Sequence, residues 1–368
     1  MQKKVIVIED STKSGFGGGQ RVTLDFIDAI VDNYSEITVI DHTKGKWTPF
    51  KQEIVKRKIK LIEIFGQGKI GKNELSSYSF SFIESLFFPF FLILNICILL
   101  NNYFRISNES IIFYAATKKA LVISRLLAKQ QDRIIFHAHS LHRQGWSGKF
   151  FQYLLQSSLV TVVGVSNAVG FSYNTKRFIR VYNGVAETGS TPKLILHKPI
   201  VVAYIGSLIS WKGVDYFLSA IDYLSGVEVL FHVYGVGNLE NTLKNKWHKN
   251  GKIVFKGFVK DINYVLSHDI DILVLPSVSE EACPMTILEA FSHAIPVITT
   301  NIGGQSELLE FGGGICVQPR SSKDIADAIK KIASEDYLCY SSQAHLRKRE
   351  FSIDIFKNSF LNILNLLG

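Results

Sequence analysis

The chain has 368 residues, 47% of them hydrophobic and 20% charged, with a formal net charge of +9. That composition excludes a disordered chain, and the length suits two domains of similar size better than one core. The charge is unevenly placed: up to Thr191 there are 24 Lys and Arg against 14 Asp and Glu, and beyond it 17 against 18. A basic half suits an anionic partner such as an acidic membrane surface or a nucleic acid. No nucleic-acid motif accompanies it, and its basic residues are not interleaved with aromatics of the kind that read bases. Cys97, Cys283, Cys316 and Cys339 have no metal or redox spacing, and MQKKVIVIED runs into a strand without a long apolar signal core. Both features fit a reducing cytoplasm.

In chain order, Lys4 to Ile8 reads as a strand, followed by a glycine loop that includes Gly17, Gly18, Gly19, Gln20 and Arg21, and then a helix from VTLDFIDAIVDNY. Glycines let a backbone approach a phosphate or sugar closely, although a glycine loop alone is a weak signal. Glu36 to Ile40 and Lys60 to Phe65 read as strands, joined by the basic connection Lys51 to Lys60. Leu86 to Leu100 is 15 residues long, and 13 of them are apolar. A single bilayer pass needs about 20 apolar residues, so the choice lies between a buried helix and one lying in the membrane interface. Flanking Tyr78, Phe80, Phe82 and Tyr103, with the basic half, favour the interface.

Ile111 to Tyr114, Ala116 to Lys129 and Arg133 to Phe136 give strand, helix, strand. The second strand leads to His137, His139 and His142, at the edge where doubly wound sheets bind ligands. A metal there lacks acidic or cysteine company. Strands at Leu159 to Val165 and Ile179 to Tyr182 follow. The polar stretch that starts at Ala186 then reads as a linker, which divides the chain into domains 1–190 and 191–350 and a final helix, 351–368. The second domain opens with Ile200 to Tyr204, then Gly206 and Ser207, with Lys212 beside Gly213 at a helix start, where an ammonium can neutralise a diphosphate. Further strands end at Gly235 and at the turn Gly257, Phe258, Val259.

The segment from Leu273 to Glu310 carries the sharpest signal. A buried strand delivers a loop, Ser277 to Cys283, and then a helix with Pro284 expected at its first position. The free N–H groups near Pro284, Met285, Thr286 and Ile287 would form an anion site. Glu281 and Glu289, with seven residues between them, bracket it. Carboxylates accept hydrogen bonds from hydroxyls, so Glu281 suits a sugar ring and Glu289 a ribose.

This segment, with Gly303, Gly304 and Glu307 after it, resembles the donor-binding segment of retaining GT-B glycosyltransferases of the GT4 family. The likeness runs along nearly the whole chain. GGGQRV resembles the Gly-Gly-x-Glu-Arg-Val loop that opens many GT4 chains, with Gln20 in place of the acid, and HSLHR resembles the HSLGR of sucrose-phosphate synthases. The resemblance implies an α/β fold of two Rossmann-like doubly wound domains facing across a cleft, with acceptor on the first and donor on the second. It implies His139 near the transferred sugar, with His137 as second candidate, and Lys212 and Glu281 beside it at the donor. The binding set would be Gly18, Gly19, Gly206, Ser207, Lys212, Gly235, Phe258, Val259, Glu281, Cys283, Pro284, Met285, Thr286, Ile287 and Glu289. Relatives usually carry a second cation where Ser207 stands.

The expected function is transfer of a hexose-type sugar, without metal or cofactor, from a nucleotide diphosphate-sugar, UDP before GDP, to a saccharide or lipid-linked saccharide. The expected location is the cytoplasm, peripheral to the inner face of the membrane through the basic half. Two alternatives are a sugar-nucleotide epimerase, excluded by a product containing a second sugar, and an inactive membrane-docked binding protein, excluded by turnover that depends on Glu281.

Overall fold

The computed structural model describes residues 4–11, 17–64, 90, 93–95, 97–99, 110–142, 146–194, 196, 198–334 and 337–367. Most of Leu86 to Leu100 therefore lies outside the described residues, as do Tyr78, Phe80, Phe82 and Tyr103. Of the few described there, Phe90 and Ile93 are exposed while Asn95 and Leu99 are buried. Among the described residues no helix is long and apolar enough to cross a membrane.

The chain forms two compact units: one from residues up to Val165, Val169–Val181 and the chain from Lys357 on, the other from Ser166–Ala168 and Tyr182–Phe356. The change of unit after Val181 precedes the polar stretch at Ala186. Val185 is already tied to the second unit, donating its N–H to the Phe351 carbonyl and accepting from Ile353 N–H, each at 2.9 Å.

The first unit is built on β1 (Lys4–Glu9), β2 (Glu36–Asp41), β3 (Lys60–Glu63), β4 (Ile111–Ala115), β5 (Arg133–Ala138), β6 (Val160–Gly164) and β7 (Phe178–Arg180). Among the described residues these make a parallel sheet in the order β3-β2-β1-β4-β5-β6-β7. β1, β4, β5 and β6 are buried almost throughout, as strands covered on both faces must be, and this is why they read as unbroken apolar runs. The helix Gly18–Ile30 starts inside the expected glycine loop, so Gly18 and Gly19 form its first turn. It buries Val22, Phe26 and Ile30 at helical spacing. Phe26 stacks on Tyr114 at 3.9 Å and meets Phe360, from the helix Ile353–Leu367, edge-on at 5.1 Å. The basic connection after β2 is not all solvated: Lys51 is fully buried and bonds the carbonyls of Thr43 and Lys46 and the Glu63 carboxylate at 2.6–2.8 Å.

The second unit is built on β8 (Ile200–Ile205), β9 (Val229–Tyr234), β10 (Ile253–Gly257), β11 (Ile272–Leu275), β12 (Val297–Thr300) and β13 (Gly314–Val317). Among the described residues they form a parallel sheet in the order β10-β9-β8-β11-β12-β13. Strand order reverses between β8 and β11, and a doubly wound sheet opens a ligand crevice at the carboxyl ends of such a pair. The core beneath includes Phe217 stacked on Phe231 at 4.5 Å.

Candidate functional site

In the second unit the loops after β8 and β11 meet at that switch point. A 3-10 turn, Ser210–Lys212, follows β8 and ends at Gly213, whose φ of +71° is the left-handed conformation that glycine adopts without strain. A side chain at Gly213 would also run into the Pro276 carbonyl. The turn therefore lies flat against the loop after β11 and aims Lys212 at Glu281. Their charged atoms are 2.6 Å apart, and the two side chains are 16% and 10% exposed. The other Glu281 oxygen accepts the Ser277 hydroxyl. Behind it the chain continues: Thr300 donates to the Ser277 carbonyl at 2.6 Å, and Gln305 donates to Thr300. Ser277, Thr300 and Gln305 are all buried.

Gly303 and Gly304 hold this loop from the far side. Gly304 N–H donates to the Glu281 carbonyl at 2.8 Å, and a methyl group on Gly304 would overlap the Ala282 carbonyl oxygen. Glu307, on the same short helix, accepts from Asn167 N–H at 2.8 and 3.0 Å and from the Tyr182 hydroxyl at 2.7 Å. Pro284 stands one place earlier than expected, as the cap of the helix Met285–Ser292, with ψ at 118°. A proline there leaves the first helical N–H to Met285. Ile287 N–H is used by the Pro284 carbonyl at 3.1 Å, so Met285 and Thr286 carry the first-turn donors that lack an intrahelical acceptor. Glu289, on the same helix, is 8% exposed and so is no solvated surface carboxylate. Cys283 is buried against apolar atoms, which pushes its thiol up to about 12 and keeps it unreactive.

The loops after β8, β9 and β10 pack backbone to backbone. Gly206 N–H bonds the Tyr234 carbonyl at 3.0 Å, Gly235 N–H bonds the Gly257 carbonyl at 2.7 Å, and a side chain on Gly235 would overlap the Gly206 carbonyl. Ser207 is exposed, its carbonyl held by the Tyr204 hydroxyl at 2.8 Å. Phe258 is 72% exposed, and Val259 is half-buried beside it.

In the first unit the end of β5 and the residue after it bring two imidazoles together at a tilt of 48°. His137 and His139, two residues apart on one face of the strand, have ring centres 4.1 Å apart. His139 Nε2 is buried without a hydrogen-bond partner, and Gly19 lies against the ring, where an added Cβ would come to 4.0 Å. Burial lowers His139 to about 4 and holds His137 well below the ordinary value, so both rings are neutral at neutral pH. The Tyr114 hydroxyl lies 2.6 Å from His137 Nδ1. His142 is separate, packed between Phe151 and Tyr173. Among the described residues no three His, Cys, Asp or Glu side chains gather as metal ligands would.

Sequence reasoning picked out Lys212, Glu281 and Glu289 but missed Ser277, Thr300, Gln305 and Glu307 as supports. A Ser four residues before the first Glu was a usable signal. Thr300 and Gln305 gave none, because only the β11–β12 pairing brings them to Ser277.

Residues 199–335 match the family described as glycosyl transferases group 1. The O-antigen biosynthesis glycosyltransferase WbnH of Escherichia coli is 33% identical over 163 residues, 44% of this chain and 46% of that protein. An Escherichia coli UDP-Gal:alpha-D-GlcNAc-diphosphoundecaprenol alpha-1,3-galactosyltransferase is 32% identical over 123 residues, 31% of each chain. The chain thus spans less than half the length of these relatives. Among solved structures, HepE of Anabaena in complex with UDP is similar in fold over 98% of this chain and 99% of its own, with a TM-score of 0.76 at 17% identity.

Proposed function

We propose, for a chain whose residues 199–335 match the group 1 glycosyl transferases and whose fold is similar to the GT-B architecture, that it transfers a hexose-type sugar from a UDP-sugar with retention of configuration. The acceptor is a saccharide or lipid-linked saccharide of a bacterial surface polysaccharide. The observation that carries the reading is the Lys212–Glu281 pair at the switch point between β8 and β11, beside the open first turn of Met285–Ser292. WbnH and the galactosyltransferase that uses a diphosphoundecaprenol-linked acceptor support the substrate class, and HepE with bound UDP supports the base.

In this reading Met285 and Thr286 N–H groups and the Lys212 ammonium take the diphosphate, a role for which no metal ion is needed. Glu289 holds the ribose and Glu281 a hydroxyl of the transferred sugar. The acceptor hydroxyl attacks the anomeric carbon on the face from which UDP departs. The bond from that carbon to the phosphate oxygen breaks as the new glycosidic bond forms, and the departing phosphate oxygen receives the acceptor's proton. His139, kept neutral by burial, hydrogen-bonds the sugar. The basic half keeps the enzyme at an acidic membrane surface. Sedimentation with anionic but not neutral vesicles is the expected result for that part.

Thermal unfolding with a panel of nucleotides and nucleotide-sugars tests the donor site. One nucleotide family should raise Tm in a concentration-dependent way, and Glu289→Ala should weaken the effect. Equal stabilisation of wild type and variant would remove Glu289 from the site, and stabilisation by none would overturn the donor reading.

A further inference from the structure

The first unit contains a chain of buried polar groups that the proposed reaction does not use until its last member, His139. It starts at Glu9, the last residue of β1, which is 4% exposed. Its carboxylate accepts from Thr23 at 2.6 Å and from Asp10 N–H at 2.9 Å. Thr23, on the helix Gly18–Ile30, is fully buried and also bonds the Tyr114 hydroxyl. Tyr114, fully buried on β4, reaches His137 Nδ1 at 2.6 Å, and the His137 ring lies 4.1 Å from that of His139. Three strands and a helix thus contribute a hydrogen-bonded path from Glu9 to His137, whose ring rests against that of His139, the ring expected at the sugar. Apolar rings enclose it: Phe26 stacks on Tyr114 at 3.9 Å, and Phe360 lies 5.0 Å from His137.

Burying so many polar groups in an apolar unit costs stability unless each is paired, so a run of this length is an expensive way to fill a core. Its ordering supplies a use. We propose that Glu9, Thr23 and Tyr114 form a positioning relay that sets the tautomer of His137 and, through that ring, the orientation of His139. The His139 consequence rests on the sugar-binding role proposed above, whereas the relay itself does not.

Proton counting shows how it works. Burial holds Tyr114 far above its ordinary value, so the phenol keeps its proton, and His137 is neutral with one N–H. With Glu9 ionised, Thr23 donates to Glu9, Tyr114 donates to Thr23, and His137 must carry its proton on Nδ1 to meet the phenol oxygen. With Glu9 protonated, the carboxyl donates to Thr23, and Thr23 turns its own hydrogen to the Tyr114 oxygen in preference to the Gly19 carbonyl 3.2 Å away. Tyr114 is then released to donate to His137 Nδ1, and the imidazole proton moves to Nε2. One proton gained at Glu9 therefore changes which His137 nitrogen is a donor, without net charge at the imidazoles. The groups facing Glu9 are Asp10 and Asp41, whose charges favour its protonated form, and Thr23 and Asp10 N–H, whose bonds favour the ionised form. Tyr114 faces Glu9 and Asp25, and His137 faces His139.

Tyr114→Phe and the pair Thr23→Val and Thr23→Ser test this on the whole protein. Long-range proton–nitrogen NMR spectra of the protein carrying nitrogen-15 histidine should show His137 in a tautomer that switches as Glu9 titrates. Tyr114→Phe and Thr23→Val should abolish the switch and shift the His139 ring signals, whereas Thr23→Ser should restore both. With a UDP-sugar that the wild type turns over, Tyr114→Phe and Thr23→Val should lower kcat about tenfold or more, as a wrong tautomer does. KM for the donor and stabilisation by UDP should stay unchanged, and Thr23→Ser should recover kcat. A His137 tautomer unaffected by Tyr114→Phe, or His139 signals that stay fixed when it changes, would overturn the relay. Loss of donor binding in every variant would mark the residues as structural only, which also overturns it. If the NMR coupling holds but the wild type cleaves no nucleotide-sugar, the enzymatic reading fails and the relay stands.

Discussion

Lys212 and Glu281 are each other's partner, so removing either should cost stability while shifting UDP binding in opposite directions. At 2.6 Å, with only 16% and 10% of the two side chains exposed, the pair is more than a surface ion pair. Lys212→Met leaves Glu281 with the Ser277 hydroxyl alone and should cost about 2–3 kcal/mol of the second unit's stability. Glu281→Gln leaves the ammonium above the Trp211 ring, 4.7 Å from its centre, and should cost about 1–2 kcal/mol. The double variant should lose less than the sum, by about 1 kcal/mol or more, because each change removes the penalty left by the other. Binding should separate them further. Lys212→Met should weaken UDP by about 10- to 100-fold, the worth of one charge-assisted bond. Glu281→Gln should tighten UDP several-fold, since the diphosphate no longer competes with a carboxylate for Lys212. It should at the same time erode the preference for UDP-sugar over UDP, because the sugar's acceptor is weakened. Urea unfolding and calorimetric titration of the four proteins give every quantity. Additive stabilities, or UDP binding weakened equally by both single variants, would refute the pairing as the organising contact.

Three further outcomes are expected. Gly304→Ala should destabilise the second unit by about 2 kcal/mol or more in urea unfolding and abolish stabilisation by UDP, because the added methyl pushes on the carbonyl of Ala282 beside Glu281. Glu9 and His139 should oppose each other in pH-dependent stability. Burial raises Glu9 from 4.5 to about 7, so its contribution is full below 4.5 and falls by about 3 kcal/mol as pH rises through 7. Burial lowers His139 from 6.5 to about 4, so its contribution is full above 6.5 and falls by a similar amount as pH drops through 4. His139→Gln should therefore make the slope of stability against pH more negative between pH 4 and pH 6.5, by about 1.4 kcal/mol per pH unit relative to wild type, measurable by urea unfolding. Phe258→Ala should leave stability unchanged and alter UDP affinity by no more than about threefold, since the ring is 72% exposed and nothing in the proposed donor site depends on its side chain. A loss of 1–3 kcal/mol in UDP titration would show a stacking ring instead.

The fold was legible because the central strands of both parallel sheets are buried on both faces, so they stand out as apolar runs between helical periods. The donor-site candidates were legible for a related reason: Glu281, Pro284 and Glu289 lie in one local stretch, and local spacing survives in sequence. What did not show was whatever depends on tertiary contact. Lys212 and Glu281 are 69 residues apart, and nothing in either segment says that they touch. Glu9 stands just past the apolar run Lys4 to Ile8 and carries no signal in sequence, yet burial makes it the start of a polar path through Thr23 and Tyr114. Helix starts slipped by a residue or more at Gly18 and Pro284, because glycine and proline mark a boundary without saying on which side of it they stand.

The most direct test of the central claim is slow donor cleavage with water as acceptor, followed by proton NMR with a panel of UDP-sugars and GDP-sugars. The account predicts UDP release from one UDP-α-sugar, with the free sugar appearing first as its α anomer, and loss of both signals in Lys212→Met. A sugar released first as the β anomer would contradict retention. Cleavage that survives in Lys212→Met, or no cleavage of any donor, would contradict the site itself.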